Sequence, residues 1–164
     1  MTPTEAGQIE HQTEAAALAA RLSGGGLYVR TALLLLPPHW LGRESEVAVR
    51  LNLSHVSYPT WKTAQLRSDQ AFLMYSAERL ITELGEICAE KHAHGTLLVS
   101  AFDLPLSALT AAERRKFWGF LHSTFSKRPR ALLLTFPHEA EFLLPDESDL
   151  TRWQSEGRLS RWPD

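Results

Sequence analysis

The sequence contains a single cysteine, Cys88, so no internal disulfide can form and a reducing compartment, the cytoplasm, is expected. Long hydrophobic runs are also missing. The longest, residues 32–38, falls far short of the roughly 20 residues needed to cross a bilayer. The first twenty residues lack a basic segment followed by an apolar core, so no secretory leader is expected. Charge of one sign is scarce too. A formal net charge of −2 gives no general affinity for nucleic acid or an acidic membrane. There is no internal repeat, no low-complexity tract and no linker-like segment, and 164 residues match one ordinary domain. What is present is 44% hydrophobic and 22% charged residues, enough for a packed core under a solvated surface.

Read along its length, the chain alternates apolar runs with helical patterns. Residues 1–26 read as a helix capped by Thr4, with Ile9, Ala16, Leu18 and Leu22 on one side and Gly24-Gly25-Gly26 as its stop. Leu27 to Leu36 reads as a buried strand closed by Pro37-Pro38. Residues 46–53 alternate apolar and polar side chains, which predicts a second strand, paired with the first as an antiparallel ribbon. A helix over 40–51 is the competing reading. Residues 54–67 are polar and read as a loop.

Ser68 is placed as the cap of a long helix, where Leu73, Ala77, Leu80, Ile81, Leu84, Ile87 and Cys88 recur at helical spacing and Gly95 supplies the stop. Thr96 to Phe102 is an apolar strand. Thr110-Ala111-Ala112-Glu113 has the capping-box spacing and opens a helix with Phe117, Leu121 and Phe125 on its buried face. Arg130 to Phe136 is another apolar strand. Residues 138–164 form a polar, acidic extension with a short helix near 148–156 ended by Gly157. Two apolar strands around a helix predict a right-handed parallel crossover. The fold class expected is α/β in three layers, a mostly parallel sheet of four or five strands with helices on both faces.

No common catalytic signature is intact. Gly-x-Ser-x-Gly, Cys-x-x-Cys and His-Glu-x-x-His are all absent. His92 and His94 stand two apart at a helix end, where they complement the helix dipole better than they ligate a metal. Cys88 lies on an apolar helix face as a small hydrophobe. No metal and no cofactor are expected.

Asp103 draws the most interest. It follows an apolar strand, so it belongs at the carboxyl edge of the sheet, where ligands bind in open α/β folds. The competing reading makes it a turn cap, with Pro105 assisting. A nucleotide site also needs Gly-x-x-x-x-Gly-Lys-Ser/Thr, because its glycines let backbone N–H groups converge on phosphate while lysine adds charge. Gly24-Gly25-Gly26 precedes a strand, and Trp61-Lys62-Thr63 has no glycine before it. In Pro37-Pro38-His39-Trp40-Leu41-Gly42-Arg43-Glu44, arginine stands where lysine belongs, followed by a charge unsuited to phosphate.

The order of elements from Leu27 to Phe136, with an aspartate after an apolar strand, resembles a P-loop NTPase core that lacks its phosphate loop. In this it is similar to small accessory subunits of bacterial multi-gene systems, including phage-defence systems of the BREX type. The resemblance implies a scaffold without hydrolysis, since Leu104 stands where that family often places a catalytic glutamate.

The expected function is therefore a non-catalytic accessory or interaction subunit with a protein partner. Trp40, Tyr58, Trp61, Trp153 and Trp162 are the candidate docking residues, because they fall in loop or tail segments and aromatic rings anchor interfaces. The alternative is a phosphate-handling enzyme with Asp103 as metal ligand and Arg114, Arg115 or Arg130 as anion clamps. A third reading is a weak nucleic-acid module whose contact face is Arg114, Arg115, Lys116, Lys127, Arg128 and Arg130 around one helix. The acidic balance of the chain favours a solvated helix surface instead, and the acidic tail offers that helix a partner of opposite sign.

Overall fold

In a computed structural model, which describes residues 14–67 and 74–164, the chain forms a five-stranded, all-parallel sheet with helices on both faces. The elements are helix α1 (residues 14–23), β1 (Thr31–Leu36), α2 (Glu44–Arg50), β2 (Ser54–Ser57), α3 (Tyr58–Gln65), α4 (Ala77–Ala89), β3 (Thr96–Ser100), α5 (Asp103–Ser107), α6 (Ala111–Ser123), β4 (Ala131–Pro137), α7 (Glu147–Ser155) and β5 (Leu159–Arg161). Strand order is β2-β3-β4-β1-β5.

Alternation along the strands divides the core between two faces. Leu33 and Leu35 of β1 join Leu97, Val99, Leu132 and Leu134 under α4, α6 and α7. Ala32, Leu34 and Leu36 face the other way, with Leu98 and Leu133, under α1 and α2. Buried on both sides, β1, β3 and β4 read as near-continuous apolar runs for that reason.

Several expectations change. Residues 46–53 are not a strand, and no antiparallel ribbon forms; β3 and β4 lie between β2 and β1. Val47 and Ala48 of α2 and its C-cap Leu51 are buried at helical spacing, while Val49 is 78% exposed. Asn52 then takes φ 59, and the amides of Asn52 and Leu53 bond Val49 O and Ala48 O. This is the Schellman closure, built here on asparagine instead of glycine. Residues 54–67 hold β2 and α3 rather than a loop. Half-buried Ser-His-Val-Ser becomes a strand through its pairing with β3.

The long helix ends at Ala89, before Gly95, and begins at Ala77, with the Ser76 hydroxyl accepting from Arg79 N at 3.1 Å. Ser68 and Leu73 lie outside the described residues, as do Thr4 and Ile9. Thr110 caps α6 as expected, its hydroxyl accepting from Glu113 N. The Glu113 carboxylate, however, reaches across to accept from Ala77 N at 2.8 Å and so ties α6 to α4. The acidic extension contributes a fifth strand, since β5 pairs with β1. Among the described residues no helix is long and apolar enough to cross a membrane.

Candidate functional site

The chain leaves β1 towards α2 on one face of the sheet and leaves β4 towards α7 on the other. The point between the carboxyl ends of β1 and β4 is therefore where connections diverge, the usual ligand position in an open parallel sheet. A crevice of about 200 Å3 lies there. Its walls are largely apolar, from Leu36, Leu41, Leu104, Phe136 and Pro137. Its polar side chains are Glu44, Asp103 and Thr135. Ala101 forms part of the lining with φ 56, a left-handed conformation that costs a residue with a Cβ about 1–2 kcal/mol.

Asp103 is the first residue of α5 and half-buried. Glu44 is the first residue of α2. Two helices thus bring two carboxylates to one crevice. Among the described residues no group of three or more His, Cys, Asp or Glu is placed to hold a metal.

The connection from β1 to α2 occupies the place where a phosphate loop would lie, and part of its backbone is already engaged. Pro37 and Pro38 have no N–H. The amides of Trp40, Leu41 and Arg43 bond Pro37 O, Pro38 O and Trp40 O at 3.0, 3.2 and 3.0 Å. Gly42 turns the chain at φ 84. Arg43, at the lysine position, lies 4.1 Å over the Trp40 ring and pairs with Glu46 at 2.8 Å. Arg50 stacks on Trp40 as well, at 4.9 Å. Three amides of this connection and its arginine are thereby engaged within the chain.

The candidate docking rings fare differently from expectation. Trp40, Tyr58, Trp153 and Trp162 are buried core residues. Trp40 meets Trp162 edge-on at 5.5 Å, Tyr58 meets Phe102 at 5.0 Å, and Trp153 packs on Trp118 and His122. They come from short elements between strands and, for Trp162, from the segment after β5, but these pack against the sheet, so the rings fill the core and are not presented to a partner. Trp61 is half-buried and donates to Glu90 at 2.6 Å.

The basic residues fall in two groups, and most of them are engaged within the chain. Arg114, Arg115 and Lys116 lie near the start of α6, whereas Lys127, Arg128 and Arg130 follow its end. From Lys116 to the end of α6 at Ser123 the helix rises about 10 Å at 1.5 Å per residue, and the second group lies beyond that end. Arg114 donates to Leu109 O at 2.6 Å, Lys116 pairs with Glu113, Arg128 covers Phe125, and Arg130 donates to Cys88 O at 2.7 Å. A groove of about 780 Å3 sets Arg114 and Arg115 among Glu141, Asp146, Glu147 and Asp149. The basic helix and the acidic extension thus meet within the molecule. In that groove the Asp146 carboxyl is held below its usual range, first by the Asp149 amide and then by the Ser148 hydroxyl, with the Arg115 charge a smaller contribution.

His92 Nε2 donates to Ile87 O at 2.8 Å, in the last turn of α4, which fits its reading as a helix-end residue. Burial pushes the Cys88 thiol up to about 12, so it behaves as a hydrophobe and not as a nucleophile.

Two buried clusters were not singled out from the sequence. Glu83 gathers Tyr58, Lys62 and Arg79. Arg158 reaches Thr31, His122 and Glu156. Only the i,i+4 spacing of Arg79 and Glu83 pointed towards either of them. No protein-family model matches the chain, and no curated protein matches it.

Two histidines predict a pH effect. His55 bonds the Ser100 hydroxyl at 2.7 Å, and burial lowers its pKa against the opposing pull of Glu44. His138 is lowered by burial and then by Arg161, with the Leu35 carbonyl, Asp164 and Glu139 opposing. A histidine whose folded pKa lies below its unfolded value binds protons more readily in the unfolded chain. Its contribution is complete above the unfolded value of about 6.5 and is lost as pH falls below that through the lower folded pKa. The urea midpoint should therefore drop between pH 7.5 and 5.5, and drop less in His55→Gln and His138→Gln. Equal slopes in all three proteins contradict the assignment.

Proposed function

We propose that this chain is a non-catalytic accessory subunit of a larger bacterial assembly in the cytoplasm, of the phage-defence kind, in which a degenerate NTPase-like core serves as scaffold for a protein partner. The observation that carries this reading is the connection from β1 to α2. It has two prolines and three internally bonded amides where a phosphate loop has glycines and converging donors, and its arginine is held by Trp40 and Glu46. The crevice beside it carries two carboxylates, the wrong sign for a phosphate. At about 200 Å3 it is also smaller than the usual 300–1,000 Å3 of small-molecule sites.

A second reading, a metal-dependent phosphate-handling enzyme, draws on the same pair, Asp103 and Glu44. Against it, Arg114 and Arg115 lie in the other groove, among the acidic residues of the C-terminal extension, and Arg130 is engaged with Cys88 O. Isothermal titration with ATP and Mg2+ separates the two readings. The expected result is no measurable binding. Micromolar affinity that disappears in Asp103→Ala overturns the accessory reading in favour of the enzyme.

A further inference from the structure

Asp103 and Glu44 line the crevice between β1 and β4, and neither pairs with a cation within ion-pair distance among the described residues. The nearest cation in sequence, Arg43, is turned onto Trp40 and Glu46. Two carboxylates against apolar walls call for a positive group from outside, because a charge pair is strongest where water is excluded.

The rim of the crevice narrows the class of that group. Leu41 and Leu104, 41% and 57% exposed, stand at its mouth. Leu104 also borders a second cleft of about 200 Å3, walled mostly by Tyr58, Pro59, Leu66, Tyr75 and Pro105, with Lys62 and Thr63 as its remaining lining. An apolar strip therefore runs along the carboxyl edge on one side of the acidic pair. An exposed strip of this kind marks an interaction surface, and the acidic pair selects against nucleic acid and acidic lipid, which share its sign. A volume of about 200 Å3 suits one long side chain better than a cofactor.

We propose that this crevice receives an arginine or lysine side chain of a protein partner, flanked in the partner by apolar residues that lie on Leu41, Leu104 and Leu66. The inference rests on the accessory reading above and adds to it the chemistry of the partner. The place where an NTPase holds a negative phosphate would here hold a positive side chain.

The test is amide chemical-shift mapping on the full chain, 15N-labelled, with three probes: the peptide acetyl-Gly-Leu-Arg-Leu-Gly-amide, the same peptide with neutral, isosteric citrulline for arginine, and ATP with Mg2+. The arginine peptide should shift Glu44, residues 101–104 and Thr135. Its affinity should fall about tenfold or more with citrulline, and similarly in Asp103→Asn/Glu44→Gln, since a paired, desolvated charge is worth at least that. Resonances away from the crevice report that the variant is folded. Equal binding of the two peptides, equal binding by the double variant, or no shift with either peptide overturns the proposal. If ATP is also silent, the accessory reading survives that failure. Shifts of the crevice residues by ATP with Mg2+ overturn both.

Discussion

Glu83→Ala should destabilise the protein by about 3–5 kcal/mol, a large share of the 5–15 kcal/mol typical of a domain. Glu83 is buried on α4 and is held by three donors. Tyr58 donates its hydroxyl at 2.5 Å, Lys62 donates its ammonium, and Arg79 approaches at 3.3 Å from the exposed side. Lys62 is itself buried. Without the carboxylate its charge has no counter-ion in the network, and the Tyr58 hydroxyl loses its acceptor. The cost of the alanine variant lies mainly in those stranded groups and only secondarily in the lost attraction. The Tyr58 phenol is pushed well above its usual range, first by burial and then by its bond to Glu83, so it stays a neutral donor at any working pH.

The same argument predicts what restores stability. Replacing the whole cluster with apolar groups of similar volume, Tyr58→Phe with Lys62→Met and Glu83→Leu, should recover most of the loss, because no buried polar group is then left without a partner. Denaturant unfolding of the single and triple variants decides the matter. A Glu83→Ala protein within about 1 kcal/mol of the parent contradicts the buried-charge account.

Arg158→Ala should cost about 3 kcal/mol. Its guanidinium donates to Thr31 O at 2.9 Å and Thr31 Oγ1 at 2.7 Å, to His122 O at 3.0 Å and to Glu156 at 2.9 Å, with its plane 4.4 Å over the Trp153 ring. One side chain thereby joins the strand that opens the sheet to α6 and α7. Thr31 is fully buried, so its carbonyl would be stranded. Arg158→Lys should recover only part of the loss, because a point charge cannot reproduce a planar fork of donors. Hydrogen exchange adds a local readout. The Trp162 amide, which bonds Leu35 O at 2.8 Å, should lose protection before the amides of β3 and β4 do. Uniform loss across the sheet argues against a local latch.

Which parts of this fold were legible follows from how each residue is stabilised. Strands buried on both faces announce themselves as apolar runs, and β1, β3 and β4 were found that way. The cap of α6 was legible because Thr110 and Glu113 interact within one turn. Elements defined by distant partners were not. Half-buried β2 is polar and owes its strand state to β3, and three-residue β5 owes its own to β1. Residues 46–53 misled because exposed Val49 supplied a false alternation.

At the candidate site, Asp103 could be placed at the sheet edge because it follows β3. Glu44 could not be placed beside it while α2 was read as a strand. The engagement of Arg43 by Trp40 and Glu46 depends on a turn whose geometry no local spacing encodes. Tryptophans in short connections looked available for the same reason, although their elements lie against the sheet.

The position of β1 has a consequence for synthesis. Its Leu-rich strand sits between β4 and β5, yet the partner of Thr31 is Leu132, about 100 residues later, and β5 follows later still. At 5–20 residues per second, a ribosome leaves this apolar strand without either neighbour for about 5–20 s. For that interval the growing chain carries an apolar, β-forming segment without its strand partners, and holding it apart from other nascent chains becomes a task for cellular chaperones.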